Sequence, residues 1–160
     1  MEIRLAQTGD IPAILDLLRQ VEEVHHRLRP DIFRPGVRKY DEEALRAILA
    51  DASRPVFVAA EGETVPGYCF CVWKEYRGNP LFTDRVELYI DDLCVDAGHR
   101  GQGVAAALYR HVCAWAKQRG CDFLTLNVWC GNEGARRFYE KMGLRPRSVT
   151  MEMPLGEPKC

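Results

Sequence analysis

The stretch HRGQGVAAALYR, His99 to Arg110, sets glycines at 101 and 103 ahead of a run that reads as a helix. Glycines let backbone come close to a ligand, and a helix start offers unpaired N–H groups and the positive end of the dipole. The chemistry this pattern suits is therefore holding an anion, a phosphate above all. Arg100 adds positive charge. Gly101, Gly103 and Ala106 also satisfy the looser dinucleotide fingerprint G-x-G-x-x-G/A. That reading fails twice. The next strand, DFLTLNV, ends in Asn127 and Val128 instead of the acid that would take a ribose, and several strands precede the motif where a Rossmann unit has one. No G-K-S/T follows, which removes a P-loop. A plain tight turn between strand and helix remains the competing account of the two glycines.

Other side chains invite chemistry less specifically. Glu87, Asp91 and Asp92 share one candidate strand, DRVELYIDDLCVD. Successive strand residues face opposite ways, so Asp91 and Asp92 reach one cleft only across a bulge. His25 and His26 point about 100° apart if helical, and no carboxylate or thiol completes a metal set with them, so pocket lining or surface exposure is the better reading. Cys130 has no indicated histidine to generate its thiolate, which argues against a covalent acyl-enzyme.

The elements that must position these residues follow from pattern and punctuation. Glu2–Ala6 reads as a short strand, with Thr8 or Asp10 as N-cap and Pro12 in the first turn of a helix carrying Ile11, Ile14, Leu15, Leu18 and Val21 on one stripe. The segment EVHHRLRPDIFRPGVRKY breaks the stripe with two prolines and a glycine and reads as a loop or a short second helix. Asp41 caps the helix DEEALRAILADA, whose early acids suit the dipole. PVFVAAE and YCFCVWKEY form an antiparallel hairpin, and DRVELYIDDLCVD is long and β-branched enough for a central strand. A helix from Gly103 carries Val104, Leu108, Val112 and Trp115 and stops at Gly120. Strand DFLTLNV, helix EGARRFYEKM capped by Asn132 and closed by Gly143, and a last strand in LRPRSVTMEMPL complete the order β α α β β β α β α β. That order describes one mixed α/β domain.

The 160 residues suit a single core, and 22 basic against 23 acidic residues leave a net charge of -1, which gives no global attraction to nucleic acid or anionic membrane. No stretch is apolar enough to span a bilayer and MEIRLAQTGD lacks signal-peptide character, so a cytoplasmic protein is expected. Seven cysteines without a C-x-x-C pair indicate neither a disulfide framework nor a zinc ribbon. Cys69, Cys71, Cys94 and Cys113 fall in apolar patterns and read as core.

A long strand ending in LCVD, then HRGQGVAAALYRHVCAWA, resembles the acetyl-CoA-binding core of the GNAT N-acetyltransferase superfamily. The family pattern R/Q-x-x-G-x-G/A is met by Arg100, Gly103 and Ala105. A second block, NVWCGNEGARRFYEKMGLRPR, supplies the Asn, Tyr and glycine stop the family places downstream, here Asn132, Tyr139 and Gly143, and IRLAQTGDIPAIL resembles the family's first strand and helix. The resemblance implies a GNAT domain over residues 1–155 with a polar tail at 156–160. Its sheet would be mixed, twisted and six- to seven-stranded, with strands four and five splayed around the pantetheine arm of acetyl-CoA and no metal. It further implies backbone contacts to that arm from Leu93, Cys94 and Val95. The pyrophosphate would be held by amides among Gly101, Gln102, Gly103, Val104, Ala105 and Ala106, beside Arg100. The acceptor would be an amine of a small molecule or peptide, its identity set within residues 25–40, and members often dimerise.

The reaction so implied is attack of an amine on a thioester. An amine of pKa near 10.4 is only about one part in 2,500 neutral at pH 7, so a base or water chain must take a proton. Asp91 stands where small-amine members carry a glutamate and is the first candidate, with Glu87 in reserve and Asp92 supporting the fold; a purely structural carboxylate at 91 competes. By the same resemblance Tyr139 is the general acid for the departing thiolate, against a ring merely packed beside Phe138, and Asn132 is both N-cap and coenzyme contact. A non-catalytic acyl-CoA sensor and a longer acyl donor are the alternative readings.

Overall fold

The computed structural model describes residues 1–156. Five strands, β1 (Glu2–Leu5), β2 (Val56–Glu61), β3 (Thr64–Tyr76), β4 (Arg85–Val95) and β5 (Phe123–Leu126), lie side by side in that order. All neighbours are antiparallel except β4 and β5, which are parallel. A parallel pair needs a crossover, and α3 (Val104–Gln118) provides it. The helices α1 (Ile11–Leu28) and α2 (Glu42–Ala50) cover one face, over Tyr68, Phe70 and Cys94. On the other face α3 and α4 (Glu133–Lys141) cover Cys69, Cys71, Leu88 and Ile90. The fold is the expected α/β class.

Three sequence expectations are corrected. The first helix runs on to Leu28, through a third of the segment read as irregular, because nothing in EVHHRL breaks it. Glu23 pairs with Arg27 one turn on, and His25, His26 and Arg27 suit the negative end of the dipole. β3 starts at Thr64, inside the expected turn. The sheet has five strands where six to seven were expected, since residues 144–155 form none. There Val149, Met151, Met153 and Leu155 alternate as in a strand yet are all exposed. Pro146 and Pro154 each lack a ladder donor, and side-chain ion pairs hold the segment instead, Arg147 to Glu87 at 2.9 Å and Glu152 to Arg29 at 2.6 Å. Of the expected tail at 156–160, only Gly156 lies within the described residues.

Among the glycines described, Gly67 has the most crowded surroundings. A Cβ there would sit 2.9 Å from the Cys94 carbonyl oxygen and 3.1 Å from Val104 Cγ1, so its hydrogen lets β3 lie against β4 beneath the start of α3.

Candidate active site

Two features of β4 define a cleft. Its pairing with β5 ends at Ile90 opposite Leu126, while β4 runs five residues further, Asp91–Val95, opening the sheet between them. At the same point its pairing with β3 slips: Cys71 faces Ile90 but Phe70 faces Asp92, so Asp91 is an extra, unpaired residue. Before the bulge Leu88 and Ile90 turn to α3; after it Cys94 turns to α1. The bulge thus brings Asp91 and Asp92 to one face.

Their surroundings differ. Asp91 Oδ2 accepts from Lys39 Nζ at 2.7 Å and from the Tyr40 hydroxyl at 3.4 Å, and Arg54 Nη2 donates to that hydroxyl at 2.9 Å. Asp92 accepts from the Tyr68 hydroxyl at 2.7 Å, and burial pushes its pKa up to about 6 even though Tyr68, Lys39 and His25 favour the charged form. His25, whose Nδ1 is buried 3.7 Å from Glu22 without a hydrogen bond, stacks on Phe33, and Phe33 meets the edge of Trp129 just beyond β5. His26 Nδ1 lies 2.7 Å from the Phe33 carbonyl oxygen, so the two histidines meet the same residue, one at its ring and one at its backbone. Among the described residues no group of three His, Cys, Asp or Glu side chains is placed to hold a metal.

Glu87, four residues before the bulge, is 3 % exposed and accepts from Arg85 at 2.8 Å and Arg147 at 2.9 Å. Burial opposes its charge, and the two guanidinium groups outweigh it, leaving its pKa below the usual range. On the opposite face Tyr139, half-buried in α4 against Phe138 and Tyr109, is raised above the ordinary tyrosine value chiefly by burial, so it keeps its proton at neutral pH. Asn132 Oδ1 accepts from the Ala135 amide at 3.1 Å, capping α4 and leaving its NH₂ as a donor. Cys69, Cys71 and Cys94 are buried and Cys113 half-buried; Cys94, pushed up to about 12 chiefly by burial, stays a thiol, and Cys130 is exposed.

The glycine motif follows β4 through a 3-10 turn, Ala97–His99. Gly101 and Gly103 have φ of +77° and +83°, left-handed values that other residues seldom adopt, with open space where a side chain would be. Asp41 caps α2 and Asn132 caps α4, whereas α3 starts at Gly103 with no side-chain cap, leaving its first amides for an anion. Arg100 is exposed, its Nε 3.4 Å from the Val95 carbonyl oxygen, and Gln102 donates to the Gly98 carbonyl oxygen at 3.1 Å. The cradle has a brace that sequence reasoning missed. Asp96 accepts from Gln20 Nε2 at 2.8 Å and from the Gly98 amide at 2.9 Å, with His99 Nδ1 at 2.9 Å, while Gln20 Oε1 accepts from the Ala97 amide. Gln20 and His99 hold the Asp96 carboxyl below the usual range. Also missed were Lys39, Tyr40 and Tyr68. The one available signal was an acid directly after a strand and before a glycine, a common turn pattern.

A left-handed glycine pair before an uncapped helix, braced from behind, fits a diphosphate. Where β4 and β5 part, the sheet carries acids on one face and a protonated phenol on the other. Residues 19–144 match the model of the Acetyltransferase (GNAT) family. Thialysine N-epsilon-acetyltransferase from Bos taurus is 27 % identical over 156 residues, covering 88 % of this chain and 82 % of that protein. Streptothricin acetyltransferase from Streptomyces lavendulae is 32 % identical over 97 residues, 59 % of this chain and 45 % of that one. The crystal structure of a tetramutant of the BH1408 protein from Bacillus halodurans superposes with a TM-score of 0.92 at 32 % identity, covering 97 % of this chain and 100 % of that one.

Proposed function

The chain belongs to the GNAT acetyltransferase family, and on that premise we propose that it moves an acetyl group from acetyl-CoA to a primary amine of a small molecule or peptide, by direct attack with both substrates bound. The observation that carries this reading is the bulge at Asp91, which sets two carboxylates on one side of the β4–β5 opening while Tyr139 lies on the other. Relatives named for thialysine and streptothricin support an amine acceptor.

In this reading acetyl-CoA supplies an acetyl group activated as a thioester. Amides from Gly101 to Ala106, with Arg100, bind its diphosphate, and the backbone of Leu93–Val95 and the free NH₂ of Asn132 hold its arm. An N–H near Cys94 stabilises the developing oxyanion. Asp91 takes the proton from the acceptor ammonium. Asp92, on the same face and with a pKa of about 6, is a second proton acceptor. Tyr139 gives its proton to the leaving sulfur. Glu87, locked between two arginines, serves the fold.

The test is a calorimetric titration with acetyl-CoA followed by thiol-release assays over a panel of amines. Binding with turnover of at least one amine is expected. Binding without any turnover would favour an acyl-CoA sensor, and failure to bind would overturn the reading.

A further inference from the structure

Lys39 stands where an acceptor would. It belongs to the connection between α1 and α2, and its Nζ lies 2.7 Å from Asp91 Oδ2 and 5.4 Å from the centre of the Tyr40 ring. A carboxylate in contact and an aromatic face alongside is how an alkylammonium is held. Burial works against charge on Lys39, but the hydrogen bond and charge of Asp91 outweigh it and keep its pKa above the ordinary lysine value. The other lysines among the described residues are placed differently: Lys74 lies over the Tyr89 ring, 3.9 Å from its centre, and Lys117 and Lys141 sit in the last turns of α3 and α4.

We propose that Lys39 is an acetyl acceptor in cis: supplied with acetyl-CoA and no other amine, the protein acetylates its own Lys39 Nζ. The proposal rests on the reading of the acids at the bulge as the acceptor site. Nζ forms a bond to the acetyl carbon as the carbon–sulfur bond breaks, and the coenzyme leaves as free thiol. Nζ begins as an ammonium and ends as an amide nitrogen, so it sheds two protons. One passes through Asp91 to water, and one, in net terms, reaches the sulfur by way of Tyr139. The product side chain is neutral and no longer pairs with Asp91, so modification frees that carboxylate for a cationic acceptor. The same seat cannot hold Lys39 and an acceptor ammonium together, so external amines compete with the modification.

The experiment follows acetyl incorporation in the purified full chain by peptide mass spectrometry after incubation with acetyl-CoA alone. Lys39 is expected to react at least roughly tenfold faster than Lys117 and Lys141, which report uncatalysed acetylation, because its amine is already oriented. Asp91→Asn should bring Lys39 down to the rate of those two, and an added amine that is turned over should slow it. Coenzyme binding by calorimetry and turnover of external amines, with Lys39 no faster than the reference lysines, would overturn the proposal and leave the acetyltransferase reading standing. Absence of coenzyme binding would overturn that reading and the proposal with it. A readout free of coenzyme tests the contact itself: in an NMR titration of the side-chain amines, Asp91→Asn should lower the Lys39 midpoint, and an unmoved midpoint would show that the pair is not held in solution and sink the proposal.

Discussion

Asp91 and Asp92 are adjacent in sequence and yet both turn toward α1 and α2, Asp91 meeting Lys39 and Tyr40 and Asp92 meeting Tyr68. One unpaired residue in β4 produces this arrangement, and it separates an acid already paired with a lysine from a half-buried one whose pKa is raised.

Asp92 makes stability depend on pH. Its pKa of about 6 lies above the 3.8 of an unfolded aspartate, so the native state holds the proton longer and stability falls as pH rises from about 4 to about 6. Asp92→Asn removes that loss. Denaturant titrations should show the variant gaining about 2–3 kcal/mol on the native protein across that window. A constant difference between the two would mean that Asp92 titrates normally.

Tyr139→Phe keeps the ring against Phe138 and Tyr109 and removes only the proton. Turnover of a good amine should fall roughly a hundredfold while the affinity for acetyl-CoA, measured by calorimetry, changes little. Unchanged turnover would take the general-acid role away from this residue.

Gly67→Ala adds a methyl group 2.9 Å from the Cys94 carbonyl oxygen and 3.1 Å from Val104. Because the nearest atom is backbone, relief requires β4 or the start of α3 to move. We expect a loss of about 1–3 kcal/mol in chemical denaturation and weaker coenzyme binding, and a variant as stable as the native protein would show that β3 and β4 can part there freely.

Glu87→Gln leaves Arg85 and Arg147 without their buried carboxylate. The variant should lose about 2–3 kcal/mol near neutral pH. Since the native pKa is lowered, that difference should shrink as pH falls below about 4. Turnover per folded molecule should stay close to native, and a specific fall in turnover would instead make Glu87 part of the reaction.

The turn into α3 was legible because it is written locally: two glycines and a helix start are contiguous, and glycine admits the left-handed angles found at Gly101 and Gly103. Asn132 as a cap and the stripe of α3 were legible for the same reason. The acceptor side was not. That Asp92 would be the perturbed acid depends on a register slip between two strands, and no periodicity within β4 announces it. Lys39 comes to Asp91 from 52 positions away through an irregular connection. The last strand was misread because alternation in Val149, Met151, Met153 and Leu155 describes what a segment could pair with, and here no neighbouring strand meets it.

The bare start of α3 sets a trade between robustness and use. A serine or aspartate at a helix start usually adds about 1 kcal/mol, and this chain spends such caps on α2 and α4. At position 103 a cap would have to adopt a left-handed backbone and, on the function proposed above, would set its own oxygen where a phosphate would bind. On that function, capping this helix start would therefore trade stability against coenzyme binding.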